Sequence, residues 1–312
     1  AGSLTVLSAD VNKAYATSSS ENSAYIEDID LTAFDVRILA RTMNLADARA
    51  VNGSSLTLTS FGSLLAESFT ADKTVARIGG GKVTATAGSV DMDAYNISKS
   101  YSLAASLGTD VGLMSGSKSE SKAFVGKSTQ KQIAEVFIET GATVKAAVDV
   151  DLFAYNTGTA QAVIEKGGSY SLAEVSSSSL PTSSYYSTYA GVKDNCTVTA
   201  DRNISVRAQD YASAVSEAKD QSVGFAMNIN TTYGSNYVNS ATTTEVGASR
   251  LFATGSVLIQ AESNAYMYAY THASVTGGFI GSGNLTARNT LVRGVTVNIL
   301  SGFVVPASAA LL

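Results

Sequence analysis

Cysteine and histidine each occur once in this 312-residue chain, proline only twice, and tryptophan not at all. One cysteine, Cys196, excludes an intrachain disulfide framework. One histidine, His272, has no second histidine, cysteine or close carboxylate cluster beside it in sequence, so it reads as a plain surface residue before a metal ligand or general base. Charge is scarce too: Asp, Glu, Lys and Arg make up 15% of the chain against 45% hydrophobic residues, and the mean hydropathy is +0.12. The net charge is −5 and the basic residues are scattered, which leaves no groove for nucleic-acid phosphate and no polybasic patch for a membrane surface. Uninterrupted apolar runs stop short of the ~18 to 20 residues that span a bilayer, so no membrane insertion is expected. Amphipathic patterning at helical spacing is missing as well. The one ambiguous segment, Thr129 to Thr140, reads as a short helix in a loop or, through Val136 and Ile138, as a strand.

What the chain has instead is a repeated strand-bend-strand pattern: apolar-x-small, three residues, then apolar-x-apolar-x-small. The clearest copies are Val198, Ala200, Ile204, Val206, Ala208 and Val144, Ala146, Val150, Leu152, Ala154. Others run from Ile259 through Ala261, Ala265, Met267 and Ala269, and from Leu58 through Ser60, Leu64 and Ala66, with looser ones at Val6, Leu31, Val83 and Leu285. Positions i and i+2 share one strand face, so the apolar and small residues of a copy point inward together. The intervening triplets Asp201-Arg202-Asn203, Glu262-Ser263-Asn264 and Phe61-Gly62-Ser63 read as corners. Some successive copies lie 25 to 27 positions apart and others about twice that. The simplest reading is an all-β parallel β-helix (β-solenoid) of about 26 residues per coil with three short strands per coil. Residues 1–312 then form one continuous domain of about twelve coils, a rod ~55 to 60 Å long. Serine, threonine and asparagine supply the polar surface, as strands stacked in register require where like charges would repel. The Ser-rich stretches Ser115 to Ser121 and Val175 to Tyr189 are expected as outward loops, the second because Pro181 cannot donate to a ladder.

The segments Val198 to Ala218, Ser222 to Ser249 and Gly255 to Val275, with their V-x-V-x-A strands among Ala-, Gly- and Asn-rich runs, resemble the large bacterial surface adhesins of the filamentous haemagglutinin and leukotoxin type. The resemblance is one of composition and repeat. It implies a right-handed parallel β-helical stalk on a secreted or cell-surface protein, and it implies nothing definite about a ligand.

Chemistry is sparse. Cys196, just before Val198, suits a small packed thiol. Asp149 and Asp151, with Asp91 and Asp93 in a related copy, form the only carboxylate grouping worth weighing as the acid pair of a polysaccharide-degrading enzyme. Their recurrence from copy to copy favours a solvated acidic stripe, with an intervening coil separating the pairs by roughly 10 Å. No catalytic, metal or cofactor residues are assigned. Aromatic residues are more suggestive. Ala94-Tyr95-Asn96 recurs as Ala154-Tyr155-Asn156, and Tyr266, Tyr268 and Tyr270 alternate. Tyr95 over Tyr155 reads as an outward column with asparagine at the following turn, or as a sugar-binding or self-association platform. Tyr185, Tyr186 and Tyr189 in the Ser-rich segment are the leading candidates for partner contact.

A free β-helix end exposes unpaired backbone groups, and no amphipathic capping helix is visible in the sequence. An excised piece of a longer chain or end-to-end stacking on copies of itself is therefore expected, with the tail Phe303 to Leu312 as a last strand or interface. The leading functional expectation is a non-catalytic stalk or filament segment, extracellular or on a bacterial surface. The alternatives are an adhesive module for glycan or host protein and, behind it, a tailspike- or lyase-like enzyme.

Overall fold

The computed structural model describes residues 4–53, 56–106, 110–277, 279–304 and 310–311. Strands β1 (Leu4–Ser18) and β2 (Glu21–Ile26) lead into a first full coil of β3 (Ile29–Ala33), β4 (Val36–Asn52), β5 (Leu56–Thr70) and β6 (Lys73–Ile78). The second coil holds β7 (Gly81–Ala85), β8 (Val90–Ser106), β9 (Asp110–Val125) and β10 (Gln132–Ile138). The third holds β11 (Thr143–Ala146), β12 (Val150–Lys166) and β13 (Ser169–Val192), and the fourth β14 (Thr197–Ala200) and β15 (Ile204–Val246). The fifth holds β16 (Arg250–Ala253), β17 (Ser256–Gly277) and β18 (Ile280–Ile299), and β19 (Ala310–Leu311) pairs back onto the start of β17. Of the tail expected as a last strand, residues 305–309 and 312 lie outside the described residues.

Every strand pairs in parallel with its counterpart one coil away, so the chain is a parallel β-solenoid, and no helix occurs among the described residues. Each coil has three segments: a short strand, a long strand, and a second long run that bends near its end. The short strands stack as a five-stranded sheet in the order β16-β14-β11-β7-β3. The long ones form a single 14-stranded network because β15 runs unbroken from the second wall position into the third.

The coil is about twice as long as the expected 26 residues. Leu31, Val83, Val144, Val198 and Leu251 pair in series, at separations of 52, 61, 54 and 53 positions. Copies of the pattern half a coil apart are therefore not successive rungs but opposite walls of one rung. Ile259 pairs with Val206, not Val198, and Leu58 lies within β5. Of the three expected corners, only Asp201-Arg202-Asn203 is one; Phe61-Gly62-Ser63 and Glu262-Ser263-Asn264 continue straight through β5 and β17. Period-2 alternation is identical on either wall, so it carries no mark of which wall a residue belongs to. The molecule is thus no twelve-coil rod. Five coils at ~4.8 Å stack to about 24 Å, while a 17-residue strand is about 55 Å long.

Both Ser-rich stretches lie in strands, not loops. Ser115–Ser121 falls in β9, and Val175–Tyr189 lies inside β13, flanked on both sides by β9 and β15. Pro181 is accommodated because the β9 ladder is interrupted at Leu180 and Pro181 while the β15 ladder runs on. The ambiguous segment around Thr129 gives a strand, β10, preceded by a turn closed by Lys127 and Gln130, which lengthens that coil.

Inward residues divide the interior into zones. One apolar cluster, including Ile78, Val83, Met92, Ile138, Leu152 and Val206, fills the wedge beside the short strands. A second, with Ala104, Val125, Ile164, Leu180 and Tyr186, lies further along the two long walls. Small inward residues let the long walls approach, and each large one needs a gap opposite. An added Cβ on Gly158 would lie 2.8 Å from the Tyr186 hydroxyl and 2.9 Å from the Ser98 carbonyl oxygen. At the corner between the first and second walls, side chains link coil to coil. Asp35 accepts the Ser89 N–H at 2.8 Å, Asp149 the Asn203 N–H at 3.0 Å, and Asn203 Oδ1 the Ser256 N–H at 3.0 Å.

Two glycine substitutions separate packing from chain entropy. Gly158→Ala is expected to cost about 1–3 kcal/mol because the wall opposite is full. Gly62→Ala, whose added Cβ would have its nearest neighbour at 4.0 Å, is expected to be neutral or to stabilise by up to about 1 kcal/mol. Urea unfolding of both variants measures the difference.

Candidate functional site

Between the two apolar clusters lies a buried polar seam. It lies at the level where β5 gives way to β6 and β9 to β10 in the third segment, and where the β13 ladder passes from β9 to β10 near Tyr186. Thr42, Asn96, Asn156, Asp210 and Ser263 stack as one inward column on the facing wall. Asn96 Nδ2 donates to the Asp72 carbonyl at 3.0 Å and to the Ile133 carbonyl at 2.9 Å. One coil on, Asn156 Nδ2 donates to the Gln132 carbonyl at 3.0 Å and the Ser187 carbonyl at 3.3 Å. Each asparagine therefore clamps two coils of the opposite wall, its amide adding to the coil-to-coil bond that the Asp72 carbonyl already accepts from the Ile133 N–H at 2.8 Å. The asparagine of the Ala-Tyr-Asn motif, expected at a turn, is a mid-strand inward residue.

The carboxylates in the seam are held by hydroxyl and amide donors. Asp72 accepts from the Ser20 N–H at 2.9 Å, Asn44 Nδ2 at 2.5 Å and Ser98 Oγ at 2.5 Å. Gln132 joins Asp72 to Asn96, its Nε2 donating to Asn96 Oδ1 at 2.8 Å. Asp210 takes the clamp position in the fourth coil, where Thr242 Oγ1 donates to it at 2.6 Å. Burial pushes its carboxyl above the ordinary range, against the pull of the Thr242, Ser263 and Ser240 hydroxyls.

The sequence-chosen residues divide by face. Tyr186 is 1% exposed, so it cannot contact a partner; its ring fills the space opposite Gly158. Tyr185 and Tyr189 are half-buried on the outer face. Tyr185 stands against Tyr237 at 5.3 Å, and Tyr189 accepts a hydrogen bond from Lys193 Nζ at 2.5 Å and donates to Glu245 at 3.2 Å. Tyr95 and Tyr155 occupy one column a coil apart, ring centroids 6.1 Å but planes tilted by 59° rather than stacked, with Phe153 packed against both. Asp91 and Asp151 are adjacent in the same column, with no coil between them. Burial and then the neighbouring Asp35 and Asp151 raise the Asp91 carboxyl; burial also raises Asp93, opposed by Arg37. Arg207 bonds Asp151 at 2.9 Å and covers the Phe153 ring at 4.8 Å. Asp149 is equivalent to Ser89 rather than to Asp91, and the Arg202 guanidinium holds its carboxyl below the usual range. Cys196 is buried at a corner, its thiol donating to the Glu139 carbonyl at 2.9 Å and pushed up by burial. His272 extends an outward row on β17, stacked on Tyr270 at 6.3 Å as Tyr270 is on Tyr268 at 6.2 Å.

Sequence reasoning missed one arrangement. At the far edge of the slab, where the second wall turns into the third, Lys166 and Asp220 occupy one inward column. Lys166 Nζ donates to Asp220 Oδ2 at 2.9 Å and Ser117 Oγ at 3.3 Å, and the two side chains are only 7% and 1% exposed. They line a cavity of about 160 Å³ with Glu174, which accepts from Ser169 Oγ at 2.7 Å. The signal was present: Ala160, Ala162, Ile164 and Lys166 share one phase, so a charge at the last position points inward. No family model matches the chain, and neither a characterised protein nor a solved structure shows significant similarity to it.

Asp210 offers a test of the clamp. Its folded-state carboxyl is raised above the unfolded value of about 3.9, so its stabilising contribution is complete below that value and is lost as pH rises through the folded one. Asp210→Asn restores an amide donor and is expected to stabilise by about 1 kcal/mol or more at pH 7, with the gain shrinking towards pH 4. Asn156→Asp, which removes the buried amide that reaches both carbonyls and puts a carboxylate against them, is expected to cost about 1–3 kcal/mol. Urea titrations at the two pH values check both.

Proposed function

We propose that the chain is a non-catalytic structural segment, a stalk or fibre element of a secreted or cell-surface bacterial protein. The observation that carries this reading is where the polar chemistry goes. Corner carboxylates accept backbone N–H groups of the next coil, seam asparagines donate to carbonyls of two coils, and outer carboxylates such as Asp151 pair with arginines one coil away. Side chains that an enzyme would direct at a substrate are here directed at neighbouring coils. The resemblance to haemagglutinin-type stalks in the alternating Val-x-Val-x-Ala segments supports the same reading and its extracellular setting.

A second reading, an adhesive module for glycan or host protein, is favoured by one feature. Tyr266, Tyr268, Tyr270 and His272 line a single outward row on β17, and such a flat aromatic strip suits sugar rings or a protein surface.

A load-bearing segment makes a mechanical prediction. Stretched between terminal handles in optical tweezers, the chain is expected to lose coils one after another. Each step should release about 190 Å, the contour of some 54 residues at ~3.5 Å each. Collapse of the whole chain in one low-force event would overturn the stalk reading.

A further inference from the structure

The far edge of the slab, where the second wall turns into the third, is apolar on its outside. Val111 pairs with Tyr170 there, and two residues further on Leu58, Leu113, Leu172 and Phe225 take the same place in four successive coils. A sharp corner follows. In the third coil Ser171, Glu174 and Ser176 are buried, so the inward phase slips by one at Leu172 and Ala173. β15 turns the same corner with an extra residue between Gly224 and Met227. Ahead of the slip Tyr170 and Leu172 share the outer side, and the six side chains of this strip are 44 to 62% exposed. Phe61, Met114 and Val175, about half-exposed, widen it onto the outer face of the third wall.

Coil stacking does not require such a strip. Among the described residues of the second to fourth coils, every exposed large hydrophobic side chain except Tyr211 and Tyr233 lies on this edge or within three residues of its corner. The nine half-exposed side chains, at about 90 Å² each, leave roughly 800 Å² in one patch. Monomers seldom leave more than about 600 Å², and about 800 Å² is what each partner of a standard interface buries. Composition and spacing select the partner. The strip's outward positions carry no charge, so a second apolar surface can cover them without burying an unpaired ion. Beside it, the last outward column of the second wall reads Ala105, Glu165, Lys219 and His272. Its sign changes between adjacent coils, which favours neither an acidic nor a basic partner. The rows repeat every ~4.8 Å, and a strip of the same pitch meshes with them over the full height of the stack. A second copy of this chain supplies that pitch and a matching apolar area. We propose that two copies pair edge to edge through this strip, as a lateral dimer about a two-fold axis. The pairing is distinct from end-to-end stacking of coils, and it goes beyond the stalk reading without depending on it.

Sedimentation velocity on the full chain, from about 1 to 200 µM, tests it. A species of twice the 32.1 kDa chain mass is expected, with a dissociation constant on the order of micromolar or tighter for an interface of this area. Leu113→Glu combined with Leu172→Glu changes two exposed positions. It should keep the wild-type melting temperature within a few degrees and weaken the dimer at least ~100-fold, because pairing would bury two carboxylates against an apolar strip. Tyr266→Glu, on the outer aromatic row of β17, should leave the dimer intact. Should the two glutamates unfold the chain, Leu172→Cys decides instead: in the middle coil it is expected to form an interchain disulfide under mild oxidation, with the buried Cys196 not competing, and failure to do so overturns the proposal. A monomer over the whole concentration range overturns it as well. So does a dimer that survives the double glutamate variant, or a ladder of masses beyond two that ignores that variant, the sign of end-to-end stacking. A monomer that floats with phosphatidylcholine vesicles, and stops floating as the double glutamate variant, would assign the strip to a lipid surface and equally overturn the pairing.

Discussion

Amide groups that cross the interior tie the two long walls to each other. Where the third segment turns, the Asp72 carbonyl accepts the Ile133 N–H of the next coil at 2.8 Å and, from across the interior, the Asn96 amide at 3.0 Å. Asn96 and Asn156 make this cross-interior clamp with the same geometry one coil apart, each spanning two coils. The polar seam splits the apolar interior into a wedge beside the short strands and a second cluster along the walls. An asparagine has a fixed reach, so neighbouring inward positions must be small or matched by a gap. The alanines, and the facing of Gly158 by Tyr186, follow from that.

Stacking in register then sets the outer surface. Each outward residue stands ~4.8 Å from its equivalent above and below, so a column of one charge repels itself. The chain answers by shifting sign along the columns and pairing diagonally: Arg37 with Asp93, Arg207 with Asp151. Where Asp91 and Asp151 do stand adjacent, burial and repulsion raise the Asp91 carboxyl. These exposed pairs each contribute at most about 1 kcal/mol. Register comes from the ladders and the inward residues; the outer charges avoid opposing it.

The parallel solenoid was legible because inward alternation with small residues survives in every coil. Its period was not. A residue facing inward from the second wall and one facing inward from the third have the same neighbours in sequence, and only their partners across space differ. The spacing between Val83, Val144 and Val198 held the true coil, and the half-coil copies obscured it. The Ser-rich segment around Tyr185 misled for a related reason. Serine clusters signal loops when a strand must bury an apolar face, but here the interior itself is polar, and Ser176, Ser178 and Ser184 are buried strand residues. The Tyr95 and Tyr155 column was visible because it needs only the recurrence of a motif. The Lys166 cavity was hidden because its members come from four coils and both walls.

In a solenoid each coil meets only the coils on either side, so a change at one inward position is felt by two neighbours and no further. The clamp column shows how much latitude that gives: it holds threonine, asparagine, asparagine, aspartate and serine in turn without a break in the ladder register. The edge column uses the same latitude for a different end. Asn52 and Ser106 give way to Lys166 and Asp220, which pair with each other across adjacent coils, so the buried charges arrive already neutralised. A fold held by carbonyl clamps in its middle can therefore carry a charged cavity at its edge, because the ladders that define the coil do not pass through it.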